Sequence, residues 1–261
     1  MTRVRFAGIC VCVVAALLTG TSVDAAPVSV GETVEVNLSS YNPTASVKVS
    51  SEADPDKNYS GPAGVFNWSV LGGNSDLVVG STLHAFCIEI TQYVNYTSDF
   101  TYTVKNLADA PVPGPPDGMG DPKGKLITEL YDRFYSVVLD GNGEEAAAFQ
   151  LAIWNIVYDD DHTAANPLGG GNFHVNSGSN ASATTRANAM LGALTGSFIR
   201  TWDLFALSYN NGGNYAQDHV IAFERETTTT GEPIPTPAAG LMGLPVLAML
   251  GITRPKRHRA A

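Results

Sequence analysis

Cysteine and basic residues are scarce in this chain of 261 residues. There are 15 Lys and Arg residues against 25 Asp and Glu residues, and six of the basic ones lie in the first 25 or the last 28 residues. The long middle of the chain lacks the clustered basic side chains that bind nucleic-acid phosphates, so no nucleic-acid partner is expected. Long apolar runs occur only at the two ends, which argues against a polytopic membrane protein. A hydrophobic content of 44% argues against a fully disordered chain.

The first 25 residues have the pattern of a secretory signal peptide. Arg3 and Arg5 precede an apolar stretch from Ile9 to Leu18, and Val23-Asp24-Ala25 has the small residues of a cleavage site. The apolar stretch is too short to span a bilayer comfortably. We therefore expect residues 1–25 to be removed, with cleavage after Ala26 or a retained short anchor as the alternatives.

The C-terminal end combines a proline motif, an apolar segment and a basic cluster. Residues 227–237 form a linker that ends in Pro235-Thr236-Pro237. Residues 238–261 hold an apolar run, followed by the basic cluster between Arg254 and Arg259. This charge asymmetry predicts a membrane helix whose basic end stays in the cytoplasm.

This tail resembles the PEP-CTERM sorting domain of Gram-negative bacteria that make extracellular polysaccharide, with Thr236 at the place of the usual glutamate. The resemblance implies contact with the membrane through the helix before an exosortase-like protease processes it. A plain single-span anchor is the alternative. Either way, the body is expected to be exported to the cell envelope, the cell surface or the extracellular matrix.

Residues 26–226 between these ends predict one α+β domain. Strand patterns come first, helical patterns follow, and strand patterns return, which predicts an antiparallel β-sandwich or barrel with two to three packed helices. The predicted strands cover residues 33–38, 45–49, 83–91, 100–104, 205–209 and 219–223, with a turn at residues 60–62. The predicted helices cover 125–138, 144–157 and 185–194. The first helix carries Val137 on its apolar side, and the second has Glu144 and Glu145 in its first turn.

The mature chain would keep a single cysteine, Cys87, because Cys10 and Cys12 lie in the signal peptide. One cysteine in an exported protein cannot close an internal disulfide. It leaves a free thiol, an intermolecular bridge or a different covalent bond. A small apolar side chain buried in a strand core is the simplest alternative.

Gln150 is the only polar residue between Ala146 and Trp154, on a helix that is apolar all round and should be buried. A buried primary amide without partners costs roughly 1–3 kcal/mol, so it needs a partner or a chemical use. A cysteine thiol can attack such an amide, expel ammonia and leave a thioester, which survives only where water is excluded. Trp154 lies one turn after Gln150 on the same face and could cover the bond.

At these residues the chain resembles the thioester domains of bacterial surface proteins, over roughly residues 80–225. The segments that carry the resemblance are Phe86-Cys87-Ile88-Glu89 and Phe149-Gln150-Leu151-Ala152-Ile153-Trp154, with Phe149 where threonine is usual. The resemblance implies a Cys87–Gln150 thioester for covalent attachment to an amine- or hydroxyl-bearing protein or polysaccharide. Trp154 and Phe149 are the candidate residues to cover this bond. Such attachment is adhesion and not enzymatic turnover. Gln92 and Gln217 are rival partners outside a matching helical segment.

Two other functions remain open at this point. In a non-covalent matrix or structural protein, Cys87 would be merely buried. A cysteine-dependent hydrolase would need a base beside Cys87, and the candidates are His84, His162, His174 and His219. His84 should lie on the opposite face of its strand from Cys87.

The run Asp159-Asp160-Asp161-His162 follows the glutamine helix and could offer oxygen ligands to calcium. Such a run is more often a solvated helix exit. We therefore expect neither a metal nor a cofactor.

Overall fold

The computed structural model describes residues 26–52, 58–95, 97–111, 118–159, 166–211 and 214–225. All of them belong to the first of two units into which the chain divides, Met1–Glu226, and the second unit is Thr227–Ala261. The predicted signal peptide, proline motif and membrane helix lie outside the described residues. None of the helices in the described ranges is long and apolar enough to cross a membrane.

The described part of the chain folds into strands and helices in the predicted order. The strands are β1 (Thr33–Ser51), β2 (Asn58–Gly73), β3 (Thr82–Cys87), β4 (Asp99–Asn106), β5 (Phe173–Val175), β6 (Trp202–Asn211) and β7 (Asn214–Glu224). The helices are α1 (Gly120–Asp140), α2 (Gly143–Tyr158) and α3 (Ala181–Gly192), and short 3-10 turns cover Leu107–Asp109 and Pro167–Gly169. The predicted α+β class is confirmed.

Six of the strands close a ring. β1 pairs with β2, β2 with β3, β3 with β7, β7 with β6, β6 with β4, and β4 with β1 again. β5 pairs with the far end of β1, where Ser51 lies opposite Phe173. Each of these described pairs is antiparallel, so the predicted antiparallel sheet with packed helices takes the form of a barrel.

The interior of this barrel is aromatic. Trp68 and Tyr102 are fully buried, and the ring of His219 lies 5.3 Å and 5.8 Å from theirs. Cys87 on β3 lies directly opposite His219 on β7. Because opposed residues of antiparallel strands point to the same face, Cys87 is on the inner face of β3.

Phe86, the residue before Cys87 on β3, faces the helices instead. The Phe86 ring lies 4.9 Å from that of Phe149 on α2 and 6.5 Å from that of Tyr131 on α1. The period of two along β3 therefore places neighbouring residues in two different cores, one inside the barrel and one under the helices.

Helix α2 is buried between the barrel and the helices α1 and α3. Asn142 caps its N-terminus by accepting hydrogen bonds from the backbone N–H groups of Glu144 (3.0 Å) and Glu145 (3.2 Å). Every residue from Ala146 to Tyr158 is buried, as the apolar composition predicts. The helix therefore presents Gln150 to β3 without access to water.

Three local predictions were wrong. The predicted strands 33–38 and 45–49 are parts of the single strand β1, and a turn predicted at residues 60–62 lies inside β2. These strands pair from Val34 to Ser50, with register shifts that bend the ladder. On α1, Val137 was placed on the buried face but is 48% exposed. The buried residues of α1 include Ile127 and Leu130.

Candidate functional site

Cys87 and Gln150 meet where β3 loses one of its neighbours. The β2–β3 pairing ends at Ala85, opposite Phe66, and β3 itself ends at Cys87, four residues before the predicted strand end. Beyond Ala85, the edge of β3 that faced β2 has no strand beside it among the described residues. The side chain of Gln150 occupies that position.

The Gln150 amide binds the backbone of Cys87 twice. The Cys87 N–H donates to Gln150 Oε1 at 2.9 Å, and Gln150 Nε2 donates to the Cys87 carbonyl at 2.7 Å. The amide thus takes the place of a missing strand residue, and the buried polar groups of both residues are satisfied. The same contacts hold the amide against the residue that carries the thiol.

The thiol of Cys87 is buried and protonated at rest. Its Sγ donates to the Glu89 carbonyl, and the Glu89 N–H points back to the sulfur at 3.3 Å. Burial, followed by the charge of Glu89, holds the pKa of the Cys87 thiol well above its ordinary value. The thiol is therefore uncharged at neutral pH and shielded from solvent.

A small cavity of about 70 Å³ reaches the cysteine. Its wall is mostly aromatic and consists of Cys87, Val94, Gln217, Tyr41, Tyr59, Phe66, Tyr93 and Trp154. Strand pairing brings part of this wall together, because Tyr41 on β1 lies opposite Phe66 on β2 and the two rings stack at 4.1 Å. The sequence offered no local signal for these tyrosines, which resemble ordinary strand residues.

The two residues predicted to cover the bond lie in different places. Trp154 lines the cavity, and its ring lies 5.7 Å from that of Tyr59. Phe149 packs on the helix side of β3 against Phe86, at 4.9 Å. Adjacent positions on a helix are about 100° apart, so only Trp154, one turn after Gln150, faces the same way as the amide.

No histidine in the described ranges is a good base for Cys87. His219 is its cross-strand neighbour, but burial lowers the pKa of His219 to about 3. Its ring nitrogens make no hydrogen bond of normal geometry to a described group, and the Gln217 backbone offsets only part of the effect of burial on its pKa. His84 lies on the other face of β3, where its Nδ1 is 2.7 Å from Asn67 Oδ1. His174 is on β5, and His162 is outside the described residues.

Of the rival glutamines, Gln217 is the nearer. It lines the cavity, and its Nε2 donates to the carbonyls of Glu89 and Gln92, at 3.2 Å each. Gln92 donates from Nε2 to Glu89 Oε2 at 3.1 Å. Gln150 is the glutamine whose amide contacts Cys87 in the hydrogen bonds given above.

Asp159, the residue after α2, binds the backbone at the start of β5. Its Oδ1 accepts from the N–H groups of Asn172 (2.5 Å) and Phe173 (3.1 Å), and its Oδ2 accepts from Asn155 Nδ2 (2.7 Å). Burial raises the pKa of Asp159, and the two N–H groups act against this. The rest of the acidic run, residues 160–162, lies outside the described residues, and within them no cluster of metal-ligating side chains occurs.

Comparisons with known proteins give little sequence similarity. No family model matches the chain, and no curated protein is similar to it in sequence. Among solved structures, the N-terminal domain of the Streptococcus pyogenes pilus tip adhesin Cpa matches with 16% identity and a TM-score of 0.37, over 72% of this chain and 98% of that one.

Proposed function

We propose that this chain is an exported surface or extracellular-matrix protein that attaches covalently to its target through an internal Cys87–Gln150 thioester. The observation that carries the proposal is the pair of hydrogen bonds from the Gln150 amide to the backbone of Cys87. They hold an otherwise inert side chain beside a buried thiol. The predicted signal peptide and sorting tail agree with an exported location.

Formation of the bond needs only the two side chains. The Cys87 sulfur attacks the carboxamide carbon of Gln150, the C–S bond forms, and the C–N bond breaks. The thiol proton leaves with the nitrogen as ammonia. The Cys87 N–H, which already donates to Oε1, stabilises negative charge that develops on this oxygen.

Attachment then uses the stored acyl group once. An amine or hydroxyl of the target attacks the thioester carbon, an amide or ester forms at Gln150, and the thiol of Cys87 is released. The target stays bound, so the protein is an adhesin and not an enzyme that turns over. The histidine geometry favours this over hydrolysis, because the neighbouring His219 has a pKa of about 3 and is a weak base at neutral pH.

Methylamine tests the proposal. We expect it to add to Gln150 of the mature protein and to release the Cys87 thiol for alkylation, and peptide mapping should place both modifications. Cys87→Ser should give no adduct. Gln217→Ala is the matched control in the same cavity and should react as the wild type does. If methylamine leaves Gln150 unmodified in freshly purified protein, the proposal is contradicted. The Gln150 amide would then only satisfy the backbone hydrogen-bonding groups of Cys87.

A further inference from the structure

The indole N–H of Trp154 is a buried donor that makes no hydrogen bond of normal geometry to a described group. Trp154 is 2% exposed, so water does not replace the missing acceptor from the surface. Leaving a buried donor unsatisfied costs roughly 1–3 kcal/mol, and protein interiors contain few such groups. An acceptor that appears during a reaction would remove this cost.

The candidate acceptor is the sulfur of Cys87. Trp154 and Cys87 line the same small cavity, and Trp154 lies one turn after Gln150 on α2. The Trp154 side chain lowers the pKa of the Cys87 thiol, against the larger upward effect of burial. The indole N–H is therefore close enough to act on the sulfur without a hydrogen bond of normal geometry in the resting state.

We propose that the Trp154 Nε1–H donates a hydrogen bond to the Cys87 sulfur while the thioester is broken, which makes Trp154 a catalytic residue of the attachment step. This inference rests on the proposed function. As the amine attacks, the C–N bond forms, the C–S bond breaks, and its electron pair goes to the sulfur. The indole keeps its proton, and the thiolate takes its proton from the attacking ammonium group. A donor is most useful when the acceptor becomes an anion.

The Trp154 N–H matters for a Cys87 thiolate because the ionisable side chains near Cys87 do not stabilise that charge. The charges of Glu89 and Asp218 raise the pKa of the thiol. Burial keeps three titratable neighbours of Cys87 neutral at pH 7, since it raises the pKa of Tyr102 and Tyr158 and lowers that of His219. Three further tyrosines line the cavity, and the hydroxyls of two of them, Tyr41 and Tyr59, donate to the Pro62 carbonyl: Tyr41, Tyr59 and Tyr93.

The first measurement is the rate of methylamine addition to the full chain. Trp154→Phe keeps an aromatic ring and removes the N–H, and we expect the rate to fall about tenfold. The matched control is Trp68→Phe, because the Trp68 N–H is equally buried and without a described acceptor but lies in the barrel interior. Its rate should stay at the wild-type value. Trp154→His retains a ring N–H and should recover part of the rate at pH 8.

The second measurement needs no thioester. In Gln150→Ala protein, the pH midpoint of Cys87 alkylation by iodoacetamide reports the pKa of the thiol. Adding Trp154→Phe should raise this midpoint, and adding Trp68→Phe should leave it in place. A slower methylamine reaction with an unchanged midpoint would mean that the ring acts by packing, and equal rates would overturn the inference outright. Absence of a thioester in the wild type would overturn the proposed function alone, since the midpoint still decides whether Trp154 stabilises the thiolate.

Discussion

Two buried tryptophans in this domain share an unsatisfied indole N–H group but have different surroundings. The indole N–H groups of Trp68 and Trp154 both lack an acceptor among the described residues. Trp68 lies inside the barrel, where its ring is surrounded by those of Phe66, Phe100, Tyr102 and His219. Trp154 lines a cavity that also contains a thiol.

The comparison shows that an unsatisfied buried group does not by itself mark a reactive site. In the barrel interior, Trp68 and His219 are enclosed by rings, which gives them packing but no access for a ligand. Where the barrel meets α2, a cavity borders Cys87 on the inner face of β3. In the proposed function, Cys87 supplies a nucleophile there and Gln150 an acyl group. The surroundings of Trp154 therefore differ from those of Trp68 by an adjacent cavity and by a neighbouring thiol, that of Cys87.

Replacing each tryptophan by alanine should give the largest difference in stability between the two regions. Trp68→Ala should lower the free energy of unfolding by about 3–5 kcal/mol, because the rings around it leave no room for relaxation. Trp154→Ala should lower the free energy of unfolding by less, since this side chain already borders a cavity. Urea denaturation of both variants checks the difference. Equal losses would show that the two regions are packed alike.

Opening the thioester should destabilise the fold without any substitution. The proposed Cys87–Gln150 bond would close a loop between two residues that are 63 positions apart. Such a cross-link stabilises the native state by about 4 kcal/mol through the entropy of the unfolded chain. Methylamine-treated protein should lose that much in urea denaturation, whereas Cys87→Ser should be unaffected by the same treatment. A treated wild type that keeps its full stability would argue against a closed loop.

The barrel interior should make stability depend on pH through His219. Its pKa falls from an unfolded value near 6.5 to about 3 in the fold, so the unfolded chain binds more protons between these values. Stability should therefore be complete above pH 6.5 and should decline by about 3 kcal/mol on acidification to pH 4. The difference between wild type and His219→Phe isolates this contribution. Parallel curves for the two proteins would mean that His219 titrates normally in the fold.

The helix caps give the smallest expected effect. Asn142 caps α2, which carries Gln150, and Asn180 caps α3, which carries no site residue. Replacement of either by alanine should cost about 1 kcal/mol in thermal or urea unfolding. Neither change should alter the methylamine reaction, because Gln150 is held by Cys87 and by packing along the whole of α2. A reaction lost only in Asn142→Ala would show that the cap positions the amide.

Much of the architecture could be predicted from local patterns. The apolar composition of residues 146–157 predicted a buried helix, and Glu144 and Glu145 stand at its N-terminus as expected for acids near the positive end of a helix dipole. The order of strands and helices predicted the antiparallel α+β class. The spacing of one helical turn predicted that Trp154 shares a face with Gln150.

The rest depends on contacts between distant segments. β1 and β2 form one long bent pair, so polar and Gly-Pro segments that resemble turns remain in strands because their partners lie beside them. The cavity wall includes Tyr41 and Tyr59, which only this pairing brings near Cys87. The hydrogen bonds of Gln150 depend on where β2 leaves β3, at Ala85, and no spacing in the sequence contains that information.

The intact mass of the freshly purified, denatured mature protein tests the central claim most directly. With the signal peptide and tail boundaries read from the same spectrum, the wild type should weigh one ammonia less than its sequence requires, and Cys87→Ala should have its full sequence mass. A wild type at full sequence mass would contradict the thioester and the adhesive function built on it.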